Sequence, residues 1–274
     1  MANGLFEGIQ KCYCGKNITQ KHIFIAILCL IIALPIAIAQ AKLGIEAKED
    51  QIYSYIFQKM PVMFLTMLAS TFILTLYQIN FTHNALKFFF WRDTQEDQER
   101  INAIQIMPEI NKQIFNYIWQ YIGFIIVWVF NFILIMIICA VLFKLPFLGL
   151  LFSLAVFLII TFGSPYLFVG FAKSFRIKGN ISPLLIIQYC KGTVLSTLWL
   201  YIKTIGLSIL LYLGVLIFGV VIGFLGGDSE LLANPIVLTI FLTIFTYASM
   251  ILYFAFEYAA AYIYYDKIEL NREI

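Results

Sequence analysis

The sequence predicts an all-α fold, a polytopic membrane helix bundle with six transmembrane helices. Of its 274 residues, 62% are hydrophobic and 12% are charged, whereas soluble domains are about 45–50% apolar and about 25% charged. The mean hydropathy is +0.91. The apolar residues form continuous runs near the roughly 20 residues that a helix needs to cross the hydrocarbon core. Because these runs do not alternate with polar residues, helices are favoured over a β-barrel.

Charged residues and prolines set the limits of the first four spans. Gln40 and Lys42 close the first apolar run, and Pro61 suits the first turn of the second helix. The third and fourth spans share an apolar stretch of 55 residues, from Tyr117 to Phe171, which is too long for one span. Pro146 divides this stretch, because proline lacks the backbone N–H that a continuing helix needs.

The last two spans are bounded by glycines and by a helix cap. The fifth span ends at Gly226-Gly227, and the sixth begins after Asn234-Pro235, an N-cap residue followed by proline at the first helical position. No loop is long enough to bury a core of its own, which predicts a single integral membrane domain over residues 1–274. The predicted spans are residues 22–39, 62–79, 121–143, 147–171, 198–225 and 235–258.

The positions of the positive charges predict the orientation. Thirteen of the 18 lysines and arginines lie in segments on one side of the membrane, and four lie in segments on the other. Short loops rich in lysine and arginine stay in the cytoplasm. Both termini are therefore expected on the cytoplasmic side of the cytoplasmic (plasma) membrane. The predicted cytoplasmic segments are residues 1–21, 80–120, 172–197 and 259–274.

The first apolar run has a second interpretation. Ala37-Ile38-Ala39 resembles a signal-peptidase site behind an apolar stretch. The basic region that precedes this stretch is unusually long for a signal peptide, which favours a retained first helix. Cleavage stays open as the alternative, and it leaves the topology of the other five spans unchanged.

The predicted cytoplasmic segments contain amphipathic helices, which usually lie among lipid headgroups. Near the N-terminus, one helical face is expected to carry Leu5, Phe6, Ile9 and Tyr13. The second helix is expected to continue beyond its span through an apolar stripe of Phe81, Ala85, Phe88 and Phe89. A short helix is expected to begin at Ser182-Pro183, ahead of the fifth span.

The connection to the third helix carries a family resemblance. The sequence Ile106-Met107-Pro108-Glu109-Ile110 precedes an aromatic-rich span. The even-numbered helices end in similar short sequences, such as Tyr77-Gln78-Ile79-Asn80 and Tyr258-Ala259-Ala260-Ala261-Tyr262. This layout resembles uncharacterised six-helix membrane proteins of prokaryotes. It is distantly similar to the membrane domain attached to some glycerophosphodiester phosphodiesterases. The chain lacks the soluble phosphodiesterase domain, so the resemblance implies no activity and no site residues.

Ionisable residues at membrane depth are candidates for a functional site. Lys203 in the fifth helix and Glu257 in the sixth are expected near the cytoplasmic ends, where neighbouring antiparallel helices would bring them together as a charge pair. An interfacial ion pair, or a lysine that extends to the headgroups, is the structural alternative. A cavity lined by Asn131, Ser164 and Thr243 is also predicted, with helix packing as its alternative.

The sequence contains none of the common motifs of enzyme active sites. It has no P-loop, nucleophile elbow or HExxH motif. Its five cysteines and two histidines do not show metal-ligand spacing. We therefore expect no catalytic residues, no metal and no other cofactor. The net charge of +3 gives no indication of nucleic-acid binding.

These observations predict a non-enzymatic integral membrane protein that acts by association with membrane lipids or with other membrane proteins. The alternative is a small transporter or permease subunit with a polar site among the third to sixth helices. A continuous polar cavity at the midplane would favour transport, whereas a closely packed bundle would favour association.

Overall fold

The computed structural model describes residues 4–44, 47–93, 105–110, 115, 117–142, 146–176, 183–190, 192–226 and 234–269. Over these residues the chain is all-α and contains no strand. Its helices are α1 (Gly4–Cys12), α2 (Ile18–Leu43), α3 (Glu49–Lys59), α4 (Pro61–Asp93), α5 (Ile118–Leu142), α6 (Pro146–Ser174), α7 (Pro183–Cys190), α8 (Val194–Gly226) and α9 (Pro235–Tyr264), which continues as a π-helical turn (Tyr265–Glu269). Those parts of the predicted cytoplasmic segments that fall in the gaps lie outside the described residues.

Within the described part of the chain, five helices are long and apolar enough to cross a membrane: Ile18–Leu43, Pro61–Arg92, Gly149–Ser174, Val194–Ile217 and Pro235–Ile268. These helices match the first, second, fourth, fifth and sixth predicted spans. The third predicted span corresponds to α5, whose described apolar stretch is the shorter Ile118–Ile133. The sixth membrane crossing therefore stays a prediction.

Several predicted helix limits are confirmed. Helix α5 ends at Leu142 and α6 begins at Pro146, where proline was expected to divide the long apolar stretch. Asn234 caps α9, since its Oδ1 accepts a hydrogen bond of 2.9 Å from the Ile236 N–H. Helix α4 continues to Asp93, as its apolar stripe predicted.

Two elements differ from expectation. Helix α3 lies in a segment that was predicted only as an outer connection. Ile52 and Ile56 are buried one turn apart, and the acidic first turn and basic last turn of α3 suit the helix dipole. Glycine and proline inside a helix often break or kink it. Helix α6 instead runs without interruption through Gly163, Ser164 and Pro165.

Contacts group the residues into two compact units. The first comprises residues 1–15, 78–203 and 254–274, and the second comprises residues 16–77 and 204–253. Each unit has its own buried side chains, and the candidate site described below belongs to the first.

In the first unit, the C-terminal part of α4 packs against α9. Phe81, Ala85 and Phe89 are fully buried on α4. The ring centroid of Phe81 lies 5.1 Å from that of Phe254, and the centroid of Phe89 lies 4.9 Å from that of Tyr258. Aromatic pairs at these separations add to the burial energy of the rings, so this interface is the apolar centre of the unit.

Helix α1 packs against α9 through small residues. A Cβ placed on Gly8 would lie 2.9 Å from both the Cα and the carbonyl oxygen of Ala255, and a Cβ on Gly4 would lie 3.6 Å from the Cβ of Ala259. Glycines and alanines four residues apart on facing helices allow close backbone approach. The small-residue pair that the fold uses here is Gly4 with Gly8.

A hydrogen bond also holds α1 in place. The Tyr258 hydroxyl donates to Glu7 Oε1 at 2.8 Å. Leu5 is buried, whereas Phe6 and Tyr13 are exposed. The residues expected to share one face are thus divided, because the small residues of α1 determine which side packs.

The C-terminal end of α6 contacts two other elements. The Phe175 ring stacks on Tyr117 with centroids 3.7 Å apart, and the His83 Nδ1 atom lies 2.7 Å from the Ala172 carbonyl oxygen. These contacts connect α6 to the beginning of α5 and to α4 within the first unit.

Helix α7 lies close to the middle of α6. A Cβ on Gly163 would lie 2.9 Å from the Ile186 carbonyl oxygen and 3.3 Å from Cys190 Sγ. The Cys190 thiol donates to the Ile159 carbonyl oxygen at 3.5 Å, and burial raises the pKa of this thiol. A glycine at position 163 is therefore needed for close packing rather than for a helix break.

Polar contacts hold the connection after α4 in the first unit. Asn84 Nδ2 donates to the carbonyl oxygens of Gln105 and Ile106, at 3.1 and 3.4 Å. Ile106 and Met107 are buried. The beginning of this connection, at Gln105 and Ile106, is therefore held against α4.

The second unit has a separate small core. Ala39 of α2 is buried with Ile52 and Ile56 of α3. Elsewhere in this unit, the Tyr247 hydroxyl lies 2.7 Å from His22 Nδ1, which connects α9 to α2. Apolar packing and the contact between His22 and Tyr247 thus stabilise this unit.

The substitution Gly8→Ala tests the packing of α1 on α9. The added methyl group would overlap the Ala255 backbone, which cannot move aside as a flexible side chain does. Overpacking of this kind costs about 1–3 kcal/mol, so we expect a lower melting temperature in detergent and faster proteolysis of the N-terminal segment.

Gly206→Ala is the matched control, because a Cβ at Gly206 meets no atom within 4 Å. Alanine is a better helix former than glycine by about 1 kcal/mol, so this variant should melt at or above the wild-type temperature. A Gly8→Ala protein that melts like wild type would contradict the close packing of α1.

Candidate functional site

The first unit contains a cavity of about 340 Å³ between α1, α8 and the end of α9. Its walls combine apolar and polar side chains. The lining residues are Gly4, Leu5, Ser196, Trp199, Leu200, Lys203, Ala259, Tyr262, Ile263, Asp266 and Lys267. Such a cavity can hold a ligand that has both an apolar part and a charged part.

The charges of the cavity come from two helices. Lys203 lies on α8, and Asp266 and Lys267 lie in the π-helical turn after α9. The Lys267 Nζ atom is 3.0 Å from Asp266 Oδ2, and both side chains are about one-third exposed. An exposed ion pair of this kind is weak, so Lys267 can exchange its partner for a ligand anion.

The apolar wall is made by small and aromatic residues. The close packing of Gly4 beside Ala259 brings the α1 backbone to the cavity. Trp199 lines the cavity while 56% of its surface is exposed. Tryptophan and tyrosine with one apolar and one wet side are typical of the membrane–water interface, and Tyr262 lies on the same cavity.

Cations contact aromatic rings elsewhere in the same unit. Lys11 Nζ lies 4.5 Å from the centroid of the Phe88 ring, and Lys173 Nζ lies 5.2 Å from that of Phe90. Arg92 lies 5.8 Å from the centroid of Tyr262, a cavity residue. Cation–π contacts fix these charges at the predicted cytoplasmic ends of the helices.

A second group of polar side chains is buried between α4 and α9. Glu257 is 2% exposed and Gln78 is 3% exposed, and Thr82 is fully buried. The Glu257 carboxyl group lies within hydrogen-bond reach of Thr82. Glu257 Oε2 and Gln78 Nε2 are buried without a hydrogen-bond partner.

A third polar contact connects α6 and α8. The Tyr166 hydroxyl lies 2.5 Å from Thr197 Oγ1, and the Tyr201 hydroxyl donates to the Thr161 carbonyl oxygen at 2.8 Å. Thr197 in turn donates to the Thr193 carbonyl oxygen. Since each of these polar groups has a partner, they serve to fix the two helices against each other.

The two predicted charged residues lie in different surroundings. Lys203 lines the cavity, whereas Glu257 is enclosed near Thr82. The contacts described for Glu257 do not include Lys203, and the charge pair stays a prediction.

The three predicted cavity-lining residues are distributed over α5, α6 and α9. Asn131 and Ser164 are half-buried in the first unit, and Thr243 is half-buried in the second. The Thr243 hydroxyl donates to the Thr239 carbonyl oxygen of its own helix at 2.7 Å. The lining of the described cavity does not include them, and their role stays a prediction.

Several residues of the cavity and of the buried polar group around Glu257 were not predicted from the sequence. Asp266 and Lys267 follow the last predicted span and were assigned only to the cytoplasmic segment 259–274. Gln78 and Thr82 fall at the predicted end of the second span, where polar residues are common. The available signal was their spacing, since residues four apart on a continuing helix share one face.

The described residues contain no group of three or more His, Cys, Asp or Glu side chains that could hold a metal ion. Neither the cavity nor the buried polar group contains two carboxylates or a histidine beside a nucleophile. That the protein lacks catalytic residues, metals and other cofactors stays a prediction.

Comparison with models of known protein families, with curated proteins and with solved structures gives no match. The resemblance to six-helix prokaryotic membrane proteins and to the membrane domain of some glycerophosphodiester phosphodiesterases therefore stays an expectation from the sequence. What this chain does must be argued from its own cavity and its own buried polar groups.

Proposed function

We propose that the protein is a non-enzymatic, multi-pass integral protein of the cytoplasmic (plasma) membrane that acts by binding membrane lipid. In this proposal it has six spans and both termini inside. The single observation that carries the lipid role is the cavity lined by Lys203, Lys267, Trp199 and Leu5. Association with other membrane proteins would then depend on the lipid-bound state.

The chemistry of the cavity suits an anionic phospholipid. Lys203 and Lys267 supply the positive charge that a phosphate group requires, and Ser196 supplies a hydroxyl donor. The apolar wall, with Leu200 and Ile263, suits the glycerol-linked part of the acyl chains. Charge-assisted hydrogen bonds to phosphate are roughly twice as strong as neutral ones, so headgroup charge should decide affinity.

The surroundings of the cavity favour the same ligand. Under the proposed orientation, Lys11, Arg92 and Lys173 lie at the cytoplasmic leaflet, each against an aromatic ring. Anionic lipids in that leaflet attract basic residues by about 1 kcal/mol each. These charges would concentrate anionic lipid near the cavity.

A transporter or permease subunit is the second candidate. The observation in its favour is the enclosed polar group of Glu257, Gln78 and Thr82, since ionisable residues at membrane depth often belong to transport pathways. Purified protein in liposomes that moves a solute or a proton across the bilayer would favour this candidate over lipid association.

The lipid role predicts a charge-dependent affinity. In the double variant Lys203→Gln/Lys267→Gln, the cavity loses both positive charges, and we expect the affinity for anionic phospholipid to fall about tenfold. The loss of one charge-assisted hydrogen bond, roughly 1.5 kcal/mol, is enough for this change. Native mass spectrometry with phosphatidylglycerol and with phosphatidylcholine measures it.

The matched control is Lys42→Gln/Lys59→Gln, which removes the same charge from exposed positions in the second unit. This control should retain phosphatidylglycerol as wild type does. Equal loss of lipid in both double variants, or no preference for phosphatidylglycerol over phosphatidylcholine in the wild type, would refute the cavity as an anionic-lipid site.

The proposed orientation predicts where a thiol reagent reacts. Cys14 is exposed and Cys12 is buried. Burial, with a smaller contribution from Cys14, raises the pKa of the Cys12 thiol to about 12. Because the thiolate is the reactive form, Cys12 should stay unmodified at neutral pH. A membrane-impermeant maleimide should label Cys14 in inside-out vesicles and not in right-side-out vesicles.

A cysteine at position 48, introduced as Lys48→Cys into a chain whose other cysteines are alanine, is the control for orientation. Lys48 is exposed and belongs to a predicted outer segment, so labelling should show the opposite sidedness. Labelling of Cys14 from the outer face would overturn the orientation.

A further inference from the structure

The interior of the first unit holds a polar site that the lipid role does not use. Glu257 of α9 and Gln78 and Thr82 of α4 are each at most 3% exposed. The aromatic pair of Phe81 and Phe254 lies beside them, with ring centroids 5.1 Å apart. Polar groups in such surroundings need hydrogen-bond partners within the protein or from a bound molecule.

The hydrogen bonds of Thr82 indicate the protonation of Glu257. The Thr82 hydroxyl donates to the Gln78 carbonyl oxygen at 3.1 Å, and the same hydroxyl lies within hydrogen-bond reach of the Glu257 carboxyl group. A hydroxyl has one proton to donate but can also accept. When that proton goes to Gln78, Thr82 can only accept from Glu257, and a carboxyl group that is 2% exposed is held more readily in its neutral form than as a carboxylate.

Another nearby hydroxyl is already committed elsewhere. The Tyr201 ring packs on Phe256, with centroids 5.5 Å apart, so Tyr201 lies beside the α9 segment that carries Glu257. Its hydroxyl donates to the Thr161 carbonyl oxygen at 2.8 Å. The Tyr201 proton is therefore not available to Glu257.

Two atoms remain without partners, and their chemistry is complementary. Glu257 Oε2 is an acceptor, and Gln78 Nε2 is a donor. Gln78 and Thr82 are four residues apart on α4, which places both side chains on the face that contacts Glu257. A water molecule can accept from the amide and donate to the carboxyl group, and buried waters typically satisfy such pairs.

We infer that Glu257 is held as the neutral acid and that Glu257, Gln78 and Thr82 bind one water molecule between α4 and α9. The chain of donors then runs from Glu257 to Thr82 and from Thr82 to the Gln78 carbonyl oxygen, while the water joins Gln78 Nε2 to Glu257 Oε2. The two atoms without a partner, Glu257 Oε2 and Gln78 Nε2, are then both satisfied. The site stores one proton at membrane depth, and it is independent of the proposed lipid role.

Infrared spectroscopy of the purified protein at neutral pH tests this inference. We expect wild type to show the C=O stretch of a protonated carboxyl group, with a small downshift in D2O. Glu257→Gln should lack this band and still fold, because glutamine has the shape and hydrogen-bonding capacity of the neutral acid. Because the carboxyl band and its D2O shift are measured on the wild-type protein, this test does not require that a variant folds.

Gln78→Met tests the water. Without the amide, the water loses one of its two partners, so the carboxyl band should move to higher frequency, as for a weaker hydrogen bond. Gln58→Met is the control, because Gln58 is exposed and its Nε2 contacts Ser54 on α3. The absence of a protonated carboxyl band in wild type would overturn the neutral acid. A band that Gln78→Met leaves unmoved would overturn the bridging water.

Discussion

A hydrocarbon environment offers no hydrogen-bond partner to a polar group, and the described residues arrange their polar groups in the way that this constraint requires. Continuous helices satisfy the backbone within each span. Threonine hydroxyls donate hydrogen bonds to carbonyl oxygens of the preceding turn. Thr71, Thr75 and Thr243 each donate to the carbonyl oxygen four residues before them. Polar side chains that cannot do so are gathered at a few places. The cavity of the first unit and the Glu257 group are the clearest of these places.

Close packing by small residues makes the cavity possible. Because Gly4 and Gly8 bring α1 against Ala255 and Ala259, the N-terminal helix becomes a wall beside α9 instead of a separate surface segment. The π-helical turn after α9 then brings Lys267 to the cavity wall. These two features together place an apolar wall next to the positive charges of Lys203 and Lys267. An anionic lipid requires this combination.

Local patterns predicted most of the helices, because prolines, a cap residue and apolar runs determine helix limits within a few residues. Asn234 caps α9 as expected. Contacts between distant segments could not be predicted in this way. The pairing of Gly8 with Ala255 joins residues far apart in the chain. Lys267 was missed because the π-helical turn that contains it is a rare element that local sequence patterns do not predict.

The most direct test of lipid binding is cryo-electron microscopy of the protein in nanodiscs of phosphatidylglycerol and phosphatidylcholine. We expect headgroup density within hydrogen-bond distance of Lys203 and Lys267, with acyl-chain density beside Leu5 and Trp199. Density of this kind should be present with phosphatidylglycerol and absent with phosphatidylcholine alone. A cavity closed by side chains, or one filled equally in both lipids, would contradict the proposal that the protein binds anionic lipid there.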